Sequence, residues 1–209
     1  MATIPFTTLY PELQLHLPGC SEPLMYSAVI AASLDFCERS LMWWNENPPV
    51  LCPAGSGLSL IPVPAGANNA ATREVYVDGI PIPALNTLSL NNTYQNWMTA
   101  TGYPRGFIIE GNYFRLIPTN SVDVQVSCRV AYKPSRSAVD MQDWMYEDWW
   151  EVLKAGVLAR LLIIPGQTWT NPGLSAMYRK EFDVGCREAK IEANKNRANA
   201  TLRVRYNPI

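Results

Sequence analysis

The stretch Phe107-Ile-Ile-Glu-Gly-Asn-Tyr-Phe-Arg-Leu-Ile117 decides the fold class of the middle of the chain. Two runs rich in β-branched and aromatic residues flank Gly111-Asn112, a dipeptide that favours a two-residue turn, so the stretch predicts a tight antiparallel hairpin. Asp78-Gly79 marks a second hairpin in the same way. From Val122 to Val130 every second residue is apolar, which predicts a strand with one solvated face.

Helical patterns stand on both sides of these strands. Apolar residues recur at steps of three and four over residues 23–44, 141–164 and 172–198, and each range predicts one helix. Pro48-Pro49 is expected to end the first helix, and Asn171 is the expected N-cap of the third. The third helix is expected to bury four apolar side chains, those of Leu174, Met177, Phe182 and Cys186.

The predicted helix over residues 141–164 carries two small residues, Gly156 and Ala159, where a second helix can approach closely. A glycine inside a helix costs roughly 1 kcal/mol relative to alanine. Close contact with another helix explains this glycine, so we predict that Gly156 and Ala159 are helix-packing residues. The apolar stripe of this helix is predicted to comprise Met141, Met145, Trp149, Val152, Gly156, Ala159 and Ile163.

Helices at both chain ends and strands between them predict an α+β fold. We expect a helical bundle domain built from residues 1–48 and 135–198, with an antiparallel β domain inserted at residues 49–134. A short helix is expected within that insert, at residues 91–99. Residues 199–209 predict an extended C-terminal arm, because apolar and basic side chains alternate there. The alternating residues are Leu202, Arg203, Val204, Arg205 and Tyr206.

Composition narrows the class of protein. The 209 residues are 48% apolar and 17% charged, with 17 Lys+Arg against 18 Asp+Glu, which argues against a disordered chain, a coiled coil or a strongly basic nucleic-acid binder. A low surface charge is typical of proteins whose surface is partly covered by partner subunits. The first residues lack the charged and apolar regions of a signal peptide, so we do not expect secretion. Arg160 interrupts the longest helix-compatible apolar stretch, Ala155–Ile164, so we expect no membrane span and no membrane partner.

The cysteine and histidine content argues against a metal site. Five cysteines lack any C-x-x-C spacing, and His16 is the single histidine. A disulfide framework and a zinc ribbon are therefore both poor interpretations. We expect the cysteines to be buried apolar residues in a reducing compartment, and we predict neither a metal ion nor a cofactor.

The strongest enzyme-like feature is a region rich in acidic and aromatic residues. Paired carboxylates could perform glycoside chemistry, and tryptophans could stack on sugars. Negative charge at a helix start and ordinary core packing are the simpler interpretation, so we predict no catalytic residue and no enzyme activity. The residues concerned are Asp140, Asp143, Trp144, Glu147, Asp148, Trp149, Trp150 and Glu151.

Short signatures spread through most of the chain add a resemblance. They are Pro18-Gly19-Cys20, Pro23, Phe36-Cys37-Glu38-Arg39-Ser40, Trp43, Val77-Asp78-Gly79, Trp97, Gly102-Tyr103-Pro104, Leu116-Ile117-Pro118, Gly156-Val157-Leu158-Ala159-Arg160-Leu161-Leu162 and Pro165-Gly166-Gln167-Thr168-Trp169. Each is short, and their order and spacing carry the specificity. Together they resemble head-to-tail adaptor (connector) proteins of tailed bacteriophages, which are related in role to the tail tubular A proteins of short-tailed phages.

The resemblance implies a structural virion protein without catalysis. Such a protein forms a ring, commonly of twelve copies, that joins the portal protein to the next tail, nozzle or neck protein, while double-stranded DNA passes through the lumen without being read. It would be made in the host bacterial cytoplasm and end in the phage neck or tail. Residues 199–209 would then be a portal-docking arm, and the alternative for them is a frayed tail or a strand folded back on the β domain of the same chain. A virion-associated glycan-binding or glycan-cleaving tail protein and a free DNA-binding module remain as alternatives.

Overall fold

The structure, a computed structural model, describes residues 2–93 and 96–195. Contacts divide the chain into two compact units. Residues up to 42 and from 133 onward form a helical unit, and residues 43–132 form a β unit. The helices are α1 (Tyr10–His16), α2 (Glu22–Ser40), α3 (Thr87–Thr93), α4 (Asp143–Glu147), α5 (Trp150–Leu161) and α6 (Pro172–Asn194).

The strands that the structure describes range in length from two to eleven residues. They are β1 (Thr3–Pro5), β2 (Trp44–Cys52), β3 (Leu58–Leu60), β4 (Ala67–Val77), β5 (Ile80–Ile82), β6 (Thr101–Gly102), β7 (Gly106–Glu110), β8 (Tyr113–Ile117), β9 (Thr119–Asn120), β10 (Val124–Pro134) and β11 (Asp140–Gln142). One sheet has the order β2-β10-β4-β5 and another β3-β8-β7, while β6 pairs with β9 and β1 with β11.

Both predicted hairpins are confirmed. Val77 pairs with Ile80 across Asp78 and Gly79, both of which have positive φ, and Glu110 pairs with Tyr113 across the second turn. The predicted alternation is confirmed from Val124 to Val130, where the apolar side chains are buried and the polar ones between them are half-buried or exposed. The strand begins two residues later than predicted, and Val122 is 55% exposed, contrary to the prediction. The buried set is Val124, Val126, Cys128 and Val130.

The short helix of the β unit begins earlier than predicted. It spans Thr87–Thr93 instead of residues 91–99. Its start is set by Asn86, whose side-chain oxygen accepts a hydrogen bond from the Leu88 N–H at 2.9 Å. The helix residue Leu90 contributes to a small core with Trp97 and Ile108.

The first long helix ends before the predicted position. α2 ends at Ser40, and Leu41 follows in the left-handed region with φ 54°. Trp44, the predicted last helical residue, instead begins β2, and Pro48-Pro49 lies inside that strand. β2 is an edge strand that pairs only with β10, so prolines are tolerated there because no second ladder needs their missing N–H groups.

The predicted helix over residues 141–164 is wrong as a single element. Asp140–Gln142 forms β11, which pairs with Thr3–Pro5 near the start of the chain. The helical part is divided into α4 and α5, and Trp149 between them has non-helical backbone angles. Of the predicted stripe, Ile163 lies beyond α5 and is 60% exposed. Pairing with a distant strand therefore overrides the local helical pattern.

α6 begins where predicted, but it turns a different face inward. The Asn171 side-chain oxygen accepts a hydrogen bond from the Leu174 N–H at 3.0 Å, which confirms the N-cap. Phe182 and Cys186 are buried as expected, whereas Leu174 and Met177 are 41% and 47% exposed, contrary to the prediction. The rest of the buried face consists of small residues that allow close helix contact: Ser175, Gly185, Ala189 and Ala193.

The five cysteines are buried and free, which confirms the interpretation of them as small apolar residues. Burial raises the pKa of the Cys186 thiol to about 12, and it also raises the pKa of the Cys37 thiol. Thiolate is the reactive form, so neither group is a nucleophile near neutral pH.

We therefore expect the native chain to resist an aromatic disulfide reagent at about pH 8. All five thiols should react once the chain is unfolded in guanidinium chloride. Absorbance of the released thiolate measures both rates. Rapid modification of Cys37 or Cys186 in the native chain, located by peptide mass spectrometry, would contradict the burial described above.

Candidate functional site

The three long helices of the helical unit, α2, α5 and α6, meet at the aromatic ring of Phe182 on α6. The guanidinium carbons of Arg39 on α2 and Arg160 on α5 lie 5.5 and 5.3 Å from the ring centroid. Asp183 accepts a hydrogen bond from Arg39 at 2.6 Å, and Asp35 accepts one from Arg160 at 2.6 Å. One ring and two ion pairs therefore fix the three long helices to one another.

The surroundings of Arg39 raise the pKa of its guanidinium. Burial by itself lowers the pKa of Arg39, but the hydrogen bond to Asp183 and the nearby carboxylates outweigh that effect and raise it above its ordinary value. The carboxylate of Asp35 lies 4.0 Å from Arg39 as well as in contact with Arg160. These side chains are about one-third exposed, so the network lies at the rim of the helical core.

The helix-packing residues lie where α5 meets α6. A Cβ built on Gly156 would stand 2.6 Å from a ring carbon of Phe182, closer than real carbon atoms approach. The carbonyl oxygen of Ala159 accepts a hydrogen bond from the Ser175 hydroxyl at 2.7 Å. On the facing helix, a Cβ on Gly185 would stand 2.4 Å from a methyl carbon of Val152.

The acidic and aromatic region is divided among several elements. Asp140 lies in β11, Asp143 is the first residue of α4, and Glu151 is in the first turn of α5, where it pairs with Lys154 at 2.6 Å. Trp149 is buried, with its ring centroid 5.6 Å from that of Phe36. Trp149 is therefore a core residue and is not available to stack on a sugar.

The neighbouring Trp150 belongs to a contact between α1 and α5. Its indole N–H donates to the Glu12 carboxylate, which also accepts a hydrogen bond from Lys154 at 2.7 Å. The hydrogen bond from Lys154 is the main cause that lowers the pKa of Glu12. Glu12, Trp150 and Lys154 thus hold two helices together.

Sequence periodicity did not single out two of the exposed apolar surfaces, one on the β unit and one on the helical unit. On the β unit, Leu58 and Leu60 of the edge strand β3 are 42% and 58% exposed, and Leu60 pairs with the half-exposed Tyr113. On the helical unit, α6 exposes Met177, whose burial was predicted, together with further apolar residues along the same face. Large contiguous apolar patches are typical of protein contact sites, which makes these two surfaces candidate contact surfaces.

The predicted arm, residues 199–209, lies outside the described residues, and so do Leu202, Arg203, Val204, Arg205 and Tyr206. Within residues 2–93 and 96–195, no group of three or more His, Cys, Asp or Glu side chains could hold a metal ion. Among the helices described, none combines the length and the apolar character that a membrane crossing requires.

Comparison with protein families decides the class of protein. The family model of the SU10 adaptor protein matches residues 32–205, which is most of the chain. The chain belongs to the SU10 adaptor protein family. Members of this family are structural adaptor proteins of bacteriophages and are typically non-enzymatic. A search of curated proteins gives no match.

Family membership confirms the broader part of the sequence interpretation. The SU10 adaptor family consists of virion components, and it implies contact with other virion proteins such as portal and tail proteins. The match includes Gly156 and Ala159, and it extends beyond the last described residue into the predicted arm.

Proposed function

We propose that the chain is a head-to-tail adaptor that forms a ring, of twelve copies, between the portal protein and the next tail, nozzle or neck protein. Its role corresponds to that of the tail tubular A proteins, and the phage genome passes through its lumen at ejection. The observation that carries this proposal is the family match over residues 32–205. The exposed apolar surfaces on β3 and α6 support it, because an assembly has to bury such surfaces.

The charge distribution supports a passage that does not retain DNA. Residues 1–178 contain 9 Lys+Arg and 14 Asp+Glu, a net charge of −5, and the remaining residues are net +4. Tight, salt-dependent DNA binding comes from clustered basic side chains that neutralise phosphates. A wall built from the acidic part of the chain lets the genome slide, so we expect weak DNA binding without sequence preference.

The direct test is assembly with the portal of the same phage. We expect the isolated chain to be monomeric or weakly associated in light scattering at low micromolar concentration, because a ring of head-to-tail contacts needs a template to fix its rotation. Addition of portal should give rings in negative-stain electron micrographs. A chain that neither binds portal nor forms rings would not be an adaptor.

Residues 199–209 are proposed as the portal-docking arm. An extended arm can pair as an additional strand with a sheet edge of the portal protein. Arg203 and Arg205 would then form ion pairs with carboxylates of the portal protein. Deletion of residues 199–209 should abolish co-sedimentation with portal and leave the melting temperature unchanged, since an extended segment with no strand partner beside it in the sequence adds little to a folded core. Full-length chain with Arg203→Glu and Arg205→Glu separates the charge contribution from the strand contribution. Undiminished portal binding by the truncated chain would place docking elsewhere.

A further inference from the structure

α6 has a second apolar face, turned away from the one that packs in the helical unit. Met177, Val184 and Ile191 are spaced by seven residues, so they form a row along the helix. Their exposed fractions are 47%, 42% and 49%. The buried face of the same helix contains Phe182 and the small residues around it. The row is therefore not needed for the core of the helical unit.

Two rows of opposite charge flank this apolar row. Three residues after Met177 and Val184 come the basic residues Lys180 and Arg187, and four residues after them come the acidic residues Glu181 and Glu188. Positions i+3 and i+4 lie on opposite sides of position i on a helix. The exposed face of α6 is thus basic along one side, apolar in the middle and acidic along the other.

These four charged residues are exposed, and none of them has an ion-pair partner among residues 2–93 and 96–195. The cationic side chains of α2 and α5 differ in this respect. Arg39 pairs with Asp183, and Arg160 pairs with Asp35. The separated rows on α6 are therefore available to a partner.

The positions of the basic and acidic rows on α6 favour one relative direction of a neighbouring α6 helix. If a second α6 lies parallel to the first, the basic row of one faces the acidic row of the other. If the second helix is antiparallel, each row faces a row of the same charge, which is repulsive. Charge complementarity therefore favours a second copy of the same helix in the parallel direction. Copies related by a rotation about a ring axis have this relation when the helix runs along the axis.

We propose that the exposed face of α6 is the surface through which one copy of this chain contacts the next. Neighbouring α6 helices lie side by side in parallel, and Lys180 and Arg187 of one copy face Glu181 and Glu188 of the adjacent copy. On each helix, the row Met177, Val184 and Ile191 lies between the two charged rows that form this contact. The proposal rests on the proposed ring and identifies the surface that closes it.

Charge reversal of each row tests this contact. The first variant carries Lys180→Glu and Arg187→Glu, and the second carries Glu181→Lys and Glu188→Lys. Each alone should weaken self-association by about tenfold or more, because like charges then face each other. Self-association should be restored in an equimolar mixture of the two variants. It should also be restored in a single chain that carries all four substitutions. Sedimentation velocity of the full chain over a concentration series, with and without portal, measures the association.

The matched control makes the same change of charge elsewhere on α6. Arg179→Glu with Lys190→Glu alters two exposed basic residues outside both rows and should leave association unchanged. The melting temperature of every variant is measured on the monomer. A row reversal that leaves association unchanged, whatever its effect on the melting temperature, would overturn the proposal.

The remaining outcomes separate this proposal from the proposed function. Rings that form on portal equally well from wild type and from both row variants would overturn the α6 contact and leave the adaptor function in place. If mixing the two row variants restores self-association but no chain binds portal or forms rings, the α6 contact is supported and the proposed adaptor function is wrong. Wild type that does not self-associate under either condition would overturn both.

Discussion

Replacement of Phe182 by alanine is expected to lower the free energy of unfolding by about 3–5 kcal/mol, the largest effect of any single substitution considered. The ring is fully buried, lies against Gly156 and is flanked by the guanidiniums of Arg39 and Arg160. Removing it leaves a cavity between α5 and α6 and takes the aromatic surface from both arginines. Urea unfolding followed by circular dichroism measures the loss.

Two variants make this prediction specific. Phe182→Leu keeps most of the buried volume but removes the aromatic face, so it should cost less than the alanine substitution. Met177→Ala on the exposed face of the same helix should change stability by no more than about 0.5 kcal/mol. If Phe182→Ala were as mild as Met177→Ala, the placement of α6 in the helical unit would be wrong.

Substitution of Gly156 by leucine is expected to destabilise the chain by roughly 1–3 kcal/mol or more through overpacking. Even one added methyl group would stand 2.6 Å from the ring of Phe182, and that ring is confined by its neighbours. Helix propensity alone predicts the opposite sign, because a side chain in a helix is favoured over glycine by up to about 1 kcal/mol. The sign of the change in melting temperature therefore distinguishes close packing from exposure.

Gly173 provides the matched control. It lies in the first turn of α6, where an added Cβ would meet only ordinary contact with the Asn171 side chain at 3.5 Å. Gly173→Ala should be neutral or stabilising, whereas Gly156→Ala should destabilise. Combining Gly156→Ala with Phe182→Leu should cost less than the sum of the two single changes, since the smaller side chain makes room for the methyl group. Additive effects would show that the two residues are not in contact.

Local turn chemistry explains why the hairpins could be predicted. Asp78-Gly79 and Gly111-Asn112 determine their turns within a few residues of chain, and the Asn171 cap is equally local. β11 could not be predicted in this way, because Asp140–Gln142 becomes a strand only through pairing with Thr3–Pro5. The hydrophobic spacing around Met141 is that of a helix. Pairing with Thr3–Pro5 nevertheless places Met141 in a strand.

The prediction of which face of α6 is buried was also wrong, for a different reason from that of β11. The helix has apolar residues on two sides, so periodicity alone did not tell which side is buried. Small residues decide it, because Ser175, Gly185 and Ala189 let the backbone approach its neighbours more closely than Leu174 or Met177 would. A row of small residues at helical spacing was the signal that could have found the buried face.

Functional inference succeeded at the level of the family and depended on the order of many short signatures. No single residue marks an adaptor, and the ion pairs around Phe182 link positions far apart in sequence, such as Asp35 with Arg160. Spacing along the chain does not reveal such pairs. The class of protein could therefore be predicted, while the network that fixes its helices required the structure.

The two prolines of β2 affect whether copies of the chain can pair with one another through this strand edge. Pro48 and Pro49 lie at an irregularity in the pairing with β10, on a strand whose exposed stretch also contains Val50 and Leu51. An apolar strand edge normally recruits further strands and leads to aggregates. Missing N–H groups and a local bulge make this edge a poor template, so pairing of two copies of the chain through β2 is disfavoured.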